Sequence, residues 1–150
     1  MATYVVNYNP LRATWGPADR ARAVGETARG RRVAERWSTG GRTSGVVPGD
    51  RAVLLRQGPG RRGLIGRGTF TSTIYRDAHW DGSPRDANYA DILWDVLLDD
   101  ADVISLEEVR AVAPSVPWNH LQGSGVRVRP PDDVALERLW ATFARGPAGE

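Results

Sequence analysis

The stretch Leu64–Tyr75, which reads LIGRGTFTSTIY, decides the fold, because its β-branched and aromatic residues are typical of a strand. Gly66 and Gly68 interrupt it, and glycine inside a strand marks a bend or a β-bulge. The preceding segment, QGPGRRG at residues 57–63, predicts a hairpin-like loop, and RAVLLR at residues 51–56 predicts the strand before that loop. A bent strand in a hairpin indicates a small antiparallel sheet.

Further strands and helices extend the pattern toward both ends of the chain. The further predicted strands are Thr3–Asn7, Tyr89–Leu98 and Val126–Val128. One or two short helices are predicted within Pro17–Arg36, and another at Ser105–Val112, which begins with a Ser105/Glu108 capping box. The last predicted helix is capped by Asp132 and has an apolar stripe of Leu136, Leu139, Trp140 and Phe143. Short strands joined by polar loops predict an α+β protein, a small β-barrel of about five or six strands with two or three flanking helices.

Size and composition indicate one globular domain. The chain has 150 residues, of which 41% are hydrophobic and 25% charged, so we expect a single domain at 1–150 with residues 146–150 as a frayed tail. No apolar run is long enough to cross a membrane, and the N-terminus lacks the pattern of a secretory signal. The absence of cysteine excludes a disulfide scaffold, a Cys-ligated zinc site and thiol catalysis. We therefore expect a cytoplasmic protein.

The charges are distributed unevenly along the chain. All 20 basic residues are Arg; 15 of them fall in residues 1–85 with 6 acids, whereas residues 86–150 hold 5 Arg and 12 acids. Such an asymmetry predicts a basic face, and Arg is suited to contacts with phosphate and to stacking on bases. A polyanion such as nucleic acid is one candidate partner. A solvated, salt-bridged surface explains the same composition equally well.

The chain contains 6 Trp, and their contexts differ. Trp94 lies in a predicted strand and Trp140 on an amphipathic stripe, so both are expected in the core. Trp37 lies beside a Gly/Ser/Thr-rich stretch, and Trp80 lies in a long polar loop. A Trp in such a segment either covers an edge of the core or stacks on a ligand.

The order of several short motifs carries more information than any one of them. From the N-terminus they are Asn9-Pro10, Arg36-Trp37-Ser38-Thr39-Gly40, Pro48-Gly49-Asp50, Gly63-Leu64-Ile65-Gly66-Arg67-Gly68, His79-Trp80-Asp81, Tyr89-Ala90-Asp91, Pro117-Trp118-Asn119 and Gln122-Gly123-Ser124-Gly125. Over residues 3–144 this order resembles the EVE domain of the PUA-like superfamily, in particular the N-terminal domain of EVE-HNH modification-dependent endonucleases. YTH and ASCH domains are related families.

The resemblance implies a pocket in which an aromatic cage holds a modified base. In YTH domains a Trp-Ser-Thr-like segment and a later Trp supply the cage, and Trp37-Ser38-Thr39 and Trp80 are similar in position and order. Tyr75 is assigned to the same pocket. Asp81 is the candidate acceptor for the N4 amino group of a flipped cytosine, with Asp77 second, and an ordinary loop cap is the alternative for Asp81.

A second set of residues is predicted to contact the nucleic-acid backbone. The set comprises Arg42, Arg61, Arg62, Gln122 and Ser124, which lie in or beside Gly-rich loops. Glycine there lets a backbone approach a phosphate closely. A solvated side chain is the alternative for each of them.

No arrangement of residues indicates catalysis. The serines lack a nucleophile-elbow context, no P-loop is possible without Lys, and no HNH segment occurs in the sequence. We therefore expect a reader rather than an enzyme, with no cofactor and no metal, that flips a base of methylated double-stranded DNA, 5-methylcytosine above all, into its pocket. A separately encoded nuclease is a candidate partner, and a nucleoid-associated location is expected.

Two other functions stay open at this stage. One is a YTH-like reader of modified RNA, because the preference for DNA rests on the resemblance alone. The other is a small ASCH-like hydrolase or nuclease that uses His79 or His120 as a base. The sequence leaves open which modification is read, in which sequence context, and in which oligomeric state.

Overall fold

A computed structural model describes residues 1–11, 15–79, 82, 84–121 and 123–145. The strands are β1 (Thr3–Tyr8), β2 (Val33–Ser38), β3 (Arg51–Arg56), β4 (Gly63–Phe70), β5 (Tyr75–Ala78), β6 (Asp86–Leu97), β7 (Ile104–Ser105) and β8 (Val126–Val128), and the helices are α1 (Pro17–Ala28), α2 (Leu106–Val112) and α3 (Asp132–Arg145). None of the described helices has the length and apolar character needed to cross a membrane.

The strands form one sheet of eight strands in the order β2-β6-β4-β3-β1-β8, with β5 paired to β6 and β7 paired to β4. All ladders are antiparallel except that between β1 and β3. The α+β class is confirmed. The predicted closed barrel of five or six strands is not what forms: within the described residues no ladder joins β2 to β8, so the sheet is open.

Two segments differ from the sequence prediction. The segment predicted to be helical, Pro17–Arg36, includes residues 33–36, but Gly30, at φ +80°, lies in a turn that follows α1, and residues 33–38 pair with β6. Leu64–Tyr75 was predicted as one strand, but β4 ends at Phe70 and β5 begins at Tyr75. Because β2 is a strand, Glu35 and Trp37 point to one face of the sheet, and the residues between and after them point to the other.

The sheet is covered on both faces, which explains why β1 is buried almost throughout. Val5 packs in a cluster with residues of α2 and α3, including Trp140. Val6, its neighbour, packs on the opposite face with Ala23 of α1 and with Trp94. Both Trp94 and Trp140 are buried, as predicted. The candidate site lies on the face covered by α1.

Gly66 and Gly68 mark a bulge in β4, as predicted. The β4–β6 register shifts between Arg67 and Gly68. A Cβ on Gly68 would lie 2.6 Å from the Leu93 carbonyl oxygen and 2.9 Å from a ring carbon of Trp94. Only glycine therefore lets the two central strands approach this closely, and the bulge increases the local twist.

Side chains and loops, rather than a ladder, bridge the two ends of the curled sheet. The Trp37 indole N–H on β2 donates to the Asn7 carbonyl oxygen on β1 at 2.9 Å, although three other strands separate β2 from β1 in the sheet. Arg42, beyond β2, donates through Nε to the carbonyl oxygen of Gly125, just before β8. The sheet therefore curls around a space that α1 covers.

Candidate functional site

A cavity of about 890 Å³ opens between α1, the end of β1, β2 and the loop before β8. Its described lining residues are Asn7, Tyr8, Asn9, Trp15, Asp19, Arg22, Ala23, Glu26, Val33, Glu35, Arg36, Trp37, Ser38, Gly40, Gln57, Tyr89, Gly123 and Ser124. The volume falls within the range of small-molecule sites, about 300–1,000 Å³. Aromatic rings and hydrogen-bonding groups both line it, which is the usual composition of a binding pocket.

A chain of aromatic rings forms the apolar wall of the cavity. Trp15 contacts Tyr8 and Trp37 edge to face, at centroid distances of 5.5 and 5.3 Å. Trp37 in turn contacts the buried Trp94 at 5.9 Å and 89°. These rings touch at near right angles, so a flat ligand stacks on one ring and meets the others at their edges.

The position of Trp37 is fixed by β2 and by its own hydrogen bond to Asn7. The ring is half-buried, so it belongs to the core on one side and to the cavity on the other. The sequence left two alternatives for this residue, a plug for the core and a ligand-stacking wall. Trp37 has the ring contacts of a core residue, and it is also exposed enough to contact a ligand in the cavity.

Asn7 and Ser124 connect the end of β1 to the loop before β8. The Ser124 hydroxyl accepts from the Asn7 backbone N–H at 2.8 Å, and Asn7 Nδ2 donates to the Gly123 carbonyl oxygen at 2.7 Å. Asn7 Oδ1 is buried and receives no hydrogen bond within the described residues, and the same is true of Trp15 Nε1 as a donor. Both residues line the cavity, and these two polar atoms are themselves buried beside it.

Glu35 lies on β2, two residues before Trp37, and lines the same cavity. Burial and, after it, the negative charge of Asp19 raise the pKa of Glu35, while Arg22 acts in the opposite direction. The site thus contains a carboxyl group whose neutral form is favoured relative to that of an exposed glutamate.

The cavity itself is not basic. Its described lining has three carboxylates, Asp19, Glu26 and Glu35, and two arginines, Arg22 and Arg36. The Arg36 guanidinium stacks over the Tyr89 ring at 4.0 Å. A ligand that offers an amino edge suits this lining better than a phosphate does. In the part of the chain that the structure describes, no group of three or more His, Asp and Glu is arranged to hold a metal ion.

Of the residues predicted for the base pocket, some line the cavity and others do not. Trp37 and Ser38 line the cavity. Thr39 is fully buried, and its hydroxyl donates to the Arg42 carbonyl oxygen at 2.9 Å, which makes it part of a turn. Trp80 and Asp81 lie outside the described residues.

Tyr75 and the second candidate acceptor, Asp77, are engaged elsewhere. The Tyr75 hydroxyl donates to the Asp91 carboxylate at 2.5 Å, and burial together with this hydrogen bond raises the pKa of Tyr75 to about 12. Asp77 accepts from Arg36 at 2.9 Å. Neither Tyr75 nor Asp77 lines the cavity, so both belong to the outer surface of the β5–β6 hairpin.

The residues predicted for the nucleic-acid backbone also occupy different places. Arg42 lies over the Tyr4 ring at 4.8 Å and donates to Gly125, so the protein itself uses its guanidinium. Arg61 and Arg62 lie on the β3–β4 hairpin, where Arg61 donates to the Ala101 carbonyl oxygen at 3.0 Å. Ser124 lines the cavity and accepts from Asn7. Gln122 lies outside the described residues.

Three residues of the site, Asn7, Trp15 and Glu35, were not predicted. Trp15 had a usable signal, because it too is a Trp in a segment without a predicted strand or helix. Glu35 was missed because residues 17–36 were predicted to be helical. Only in a strand do Glu35 and Trp37, two residues apart, lie on the same face. Asn7 had no signal of its own, because its role comes from the loop that meets β1 more than a hundred residues later.

Comparison with known proteins gives a fold and no family. No protein-family model matches the chain, and no curated protein is recognisably similar in sequence. A hypothetical protein of Leishmania major has a TM-score of 0.66 at 11% identity, covering 97% of this chain and 98% of that one. A protein of Pseudomonas syringae has a TM-score of 0.59 at 14% identity, with 92% and 99% covered.

Human THYN1 protein, solved in complex with 5-methylcytosine-containing DNA, shares the same architecture. Its TM-score is 0.54 at 12% identity, with 93% of this chain and 97% of that chain covered. At such identities the likeness establishes a shared fold and not a shared activity.

Proposed function

We propose that this chain binds double-stranded DNA containing 5-methylcytosine and holds the flipped base in the cavity against Trp37, as a reader rather than an enzyme. The observation that carries the proposal is the cavity itself, an aromatic and polar pocket in a fold shared with a protein solved on 5-methylcytosine DNA. The resemblance of the ordered motifs to EVE domains points in the same direction.

The energetics of base flipping are consistent with this cavity. Extruding a base from the duplex costs a few kcal/mol, and stacking on an aromatic side chain contributes about 1–3 kcal/mol per base. Trp37 is a half-buried ring of the cavity lining, Trp15 contacts it, and Tyr8 contacts Trp15. A 5-methyl group adds apolar area, so it is expected to increase the free energy gained by entry into this wall.

The phosphate contacts of this proposal come from outside the cavity. The lining has more carboxylates than arginines, so it suits the base and not the backbone. Arg61 and Arg62 lie on a hairpin loop that begins at Gln57, a lining residue, and Gly58 in that loop packs against Asn9 at the cavity rim. The hairpin is therefore the described basic segment best placed to hold the strand from which the base is extruded.

A binding panel tests the proposal. Affinity is measured for duplexes that carry one 5-methylcytosine or an unmodified cytosine, and for a single-stranded RNA that carries N6-methyladenine. We expect the wild type to prefer the 5-methylcytosine duplex. Trp37→Leu should weaken that binding by about 1–3 kcal/mol, because the stacking surface is lost.

Trp140→Leu is the matched control, because it makes the same exchange in a Trp buried on the other face of the sheet. Both variants lose core contacts, so thermal melting must show that each is folded at the temperature of the binding assay. Equal affinity of the wild type for modified and unmodified duplexes would contradict the proposal. A preference for the methylated RNA would favour an RNA reader, and cleavage of any substrate would favour an enzyme.

A further inference from the structure

We propose that Glu35 reads the hydrogen-bonding edge of the base held against Trp37, as a neutral carboxyl group that donates to cytosine N3 and accepts from its N4 amino group. This inference rests on the proposed function, and it assigns the edge contact to a residue of β2 instead of Asp81.

The placement of Glu35 follows from the alternation of β2. Glu35 pairs with Ile92 and Trp37 with Ala90 on β6, so the two side chains lie on one face of the strand. Residues two apart in a strand are about 6–7 Å apart along it. A base stacked on the Trp37 ring in the cavity is therefore within reach of the Glu35 side chain.

The Glu35 carboxyl group is available to a ligand. Glu35 is half-buried and lines the cavity. Among the described residues, none donates a hydrogen bond to its carboxyl group or forms an ion pair with it. The other acids of the lining differ: Glu26 is paired with Arg31 at 3.0 Å, and Asp19 is paired with Arg22. Glu35 is thus the unpaired carboxyl group of the described lining.

The chemistry of the cytosine edge favours a neutral carboxyl group. Cytosine presents the N4 amino donor beside the N3 acceptor. An ionised carboxylate has acceptors only, so it matches N4 and opposes N3. A protonated carboxyl group matches both with two parallel hydrogen bonds, and a flipped base that excludes water favours the neutral form further.

The surroundings of Glu35 act on its charge from two elements. From α1, Asp19 disfavours a negative charge on Glu35 and Arg22 favours it, while Glu26 is paired with Arg31. From β2 itself, Arg36 lies at the cavity wall, stacked on Tyr89. The remaining described lining residues are uncharged. Burial and Asp19 outweigh Arg22 at Glu35, so its pKa is raised before any base enters.

The test is the pH dependence of binding to the 5-methylcytosine duplex, between about pH 5.5 and 8.5, where an ordinary glutamate does not titrate. If the complex takes up a proton at Glu35, wild-type affinity falls with rising pH, by up to about tenfold per pH unit between the Glu35 pKa of the free protein and the higher pKa of the complex. Glu35→Gln carries both a donor and an acceptor at every pH. It should bind at pH 8.5 more tightly than the wild type and lose most of the pH slope.

Glu35→Leu removes both hydrogen bonds and should weaken binding at least tenfold at low pH. Glu107→Gln, an exposed exchange on α2 at the opposite face, is the matched control and should keep the wild-type profile. A wild-type slope in Glu35→Gln, or wild-type affinity in a folded Glu35→Leu, would overturn the assignment. If Glu35→Leu does not fold, the isosteric Gln variant decides alone.

Failure of the proposed function has a different signature. A wild type that binds modified and unmodified duplexes equally at every pH has no base pocket for 5-methylcytosine. If the wild type prefers the modified duplex and Trp37→Leu weakens that binding, but the Glu35 variants bind like the wild type, the pocket exists and another residue contacts the edge of the base.

Discussion

A single residue without a side chain fixes how closely the two central strands approach. Gly68 lies where β4 shifts its register against β6, and the Leu93 carbonyl oxygen occupies the place that a Cβ would need. Neighbouring backbone cannot move aside as a flexible side chain can, because both strands are in the middle of the sheet.

Gly68→Ala is therefore expected to lower the free energy of unfolding by about 1–3 kcal/mol, the usual cost of forcing atoms into a packed interior. Gly41→Ala is the control, since a Cβ there meets nothing within 4 Å. Thermal or urea unfolding measures both variants. Equal stability of the two would show that the sheet adjusts at the bulge at little cost.

At the scale of elements, one carboxylate ties α1 to the sheet. Asp100, in the turn after β6, accepts from Arg20 of α1 at 2.7 Å and from Arg56 of β3 at 2.9 Å. Burial raises the pKa of Asp100, but the hydrogen bonds and charges of the two arginines outweigh it and hold this pKa below its usual value. Since α1 covers the cavity, this contact also holds α1 in place over the candidate site.

Asp100→Asn is expected to destabilise the protein by about 1–2 kcal/mol at neutral pH, a modest figure because half of the carboxylate is exposed and screened. A pKa depressed by folding stabilises above the unfolded-state value and less as pH falls through the folded-state value. The Tm difference from wild type should therefore shrink below about pH 4.

Asp102→Asn, in the same turn, is the matched control, because Asp102 has no ion pair among the described residues. Melting curves at several pH values decide the matter. A constant difference between Asp100→Asn and wild type down to strongly acidic pH would assign the loss to packing instead of charge.

Over the whole molecule, folding mixes the two halves of the charge pattern. Acids of the second half pair with arginines of the first: Asp95 with Arg32 and Arg67, and Glu137 with Arg51 and Arg67. The excess of arginine in residues 1–85 is therefore partly neutralised inside the fold. Arg61, which donates to the Ala101 carbonyl oxygen, and Arg62 have no carboxylate partner within the described residues, so no ion pair there neutralises their charge.

Replacing Arg61 and Arg62 by Ser is expected to weaken modified and unmodified DNA about equally, and to reduce the slope of log K against log salt by roughly 2, one for each lost phosphate contact. Arg129→Ser with Arg138→Ser is the control. These residues are exposed and lie beyond β8 and on α3, away from the cavity. Equal slopes in the two double variants would remove the hairpin from the DNA-binding surface.

Local patterns explain which parts of the fold were predictable. The strand character of β1, the Ser105 cap of α2 and the glycine bulge of β4 are set by neighbours in the chain, and all three are present in the structure. Asp132 shows the limit: it begins α3, but its carboxylate, predicted to cap that helix, accepts from the backbone N–H of Ser115. A side chain with several possible partners takes the one that packing brings to it.

The sequence by itself determined the α+β class, the main strands, the burial of Trp94 and Trp140, and Trp37 as a residue of interest. The tertiary structure alone decided that residues 33–38 are a strand, because that strand is stabilised by pairing with β6, more than fifty residues away. That pairing places Glu35 beside Trp37, and the curl of the sheet brings Asn7 and Trp15 to the same cavity. Such a site consists of contacts between distant segments, and no local pattern of side chains specifies those contacts.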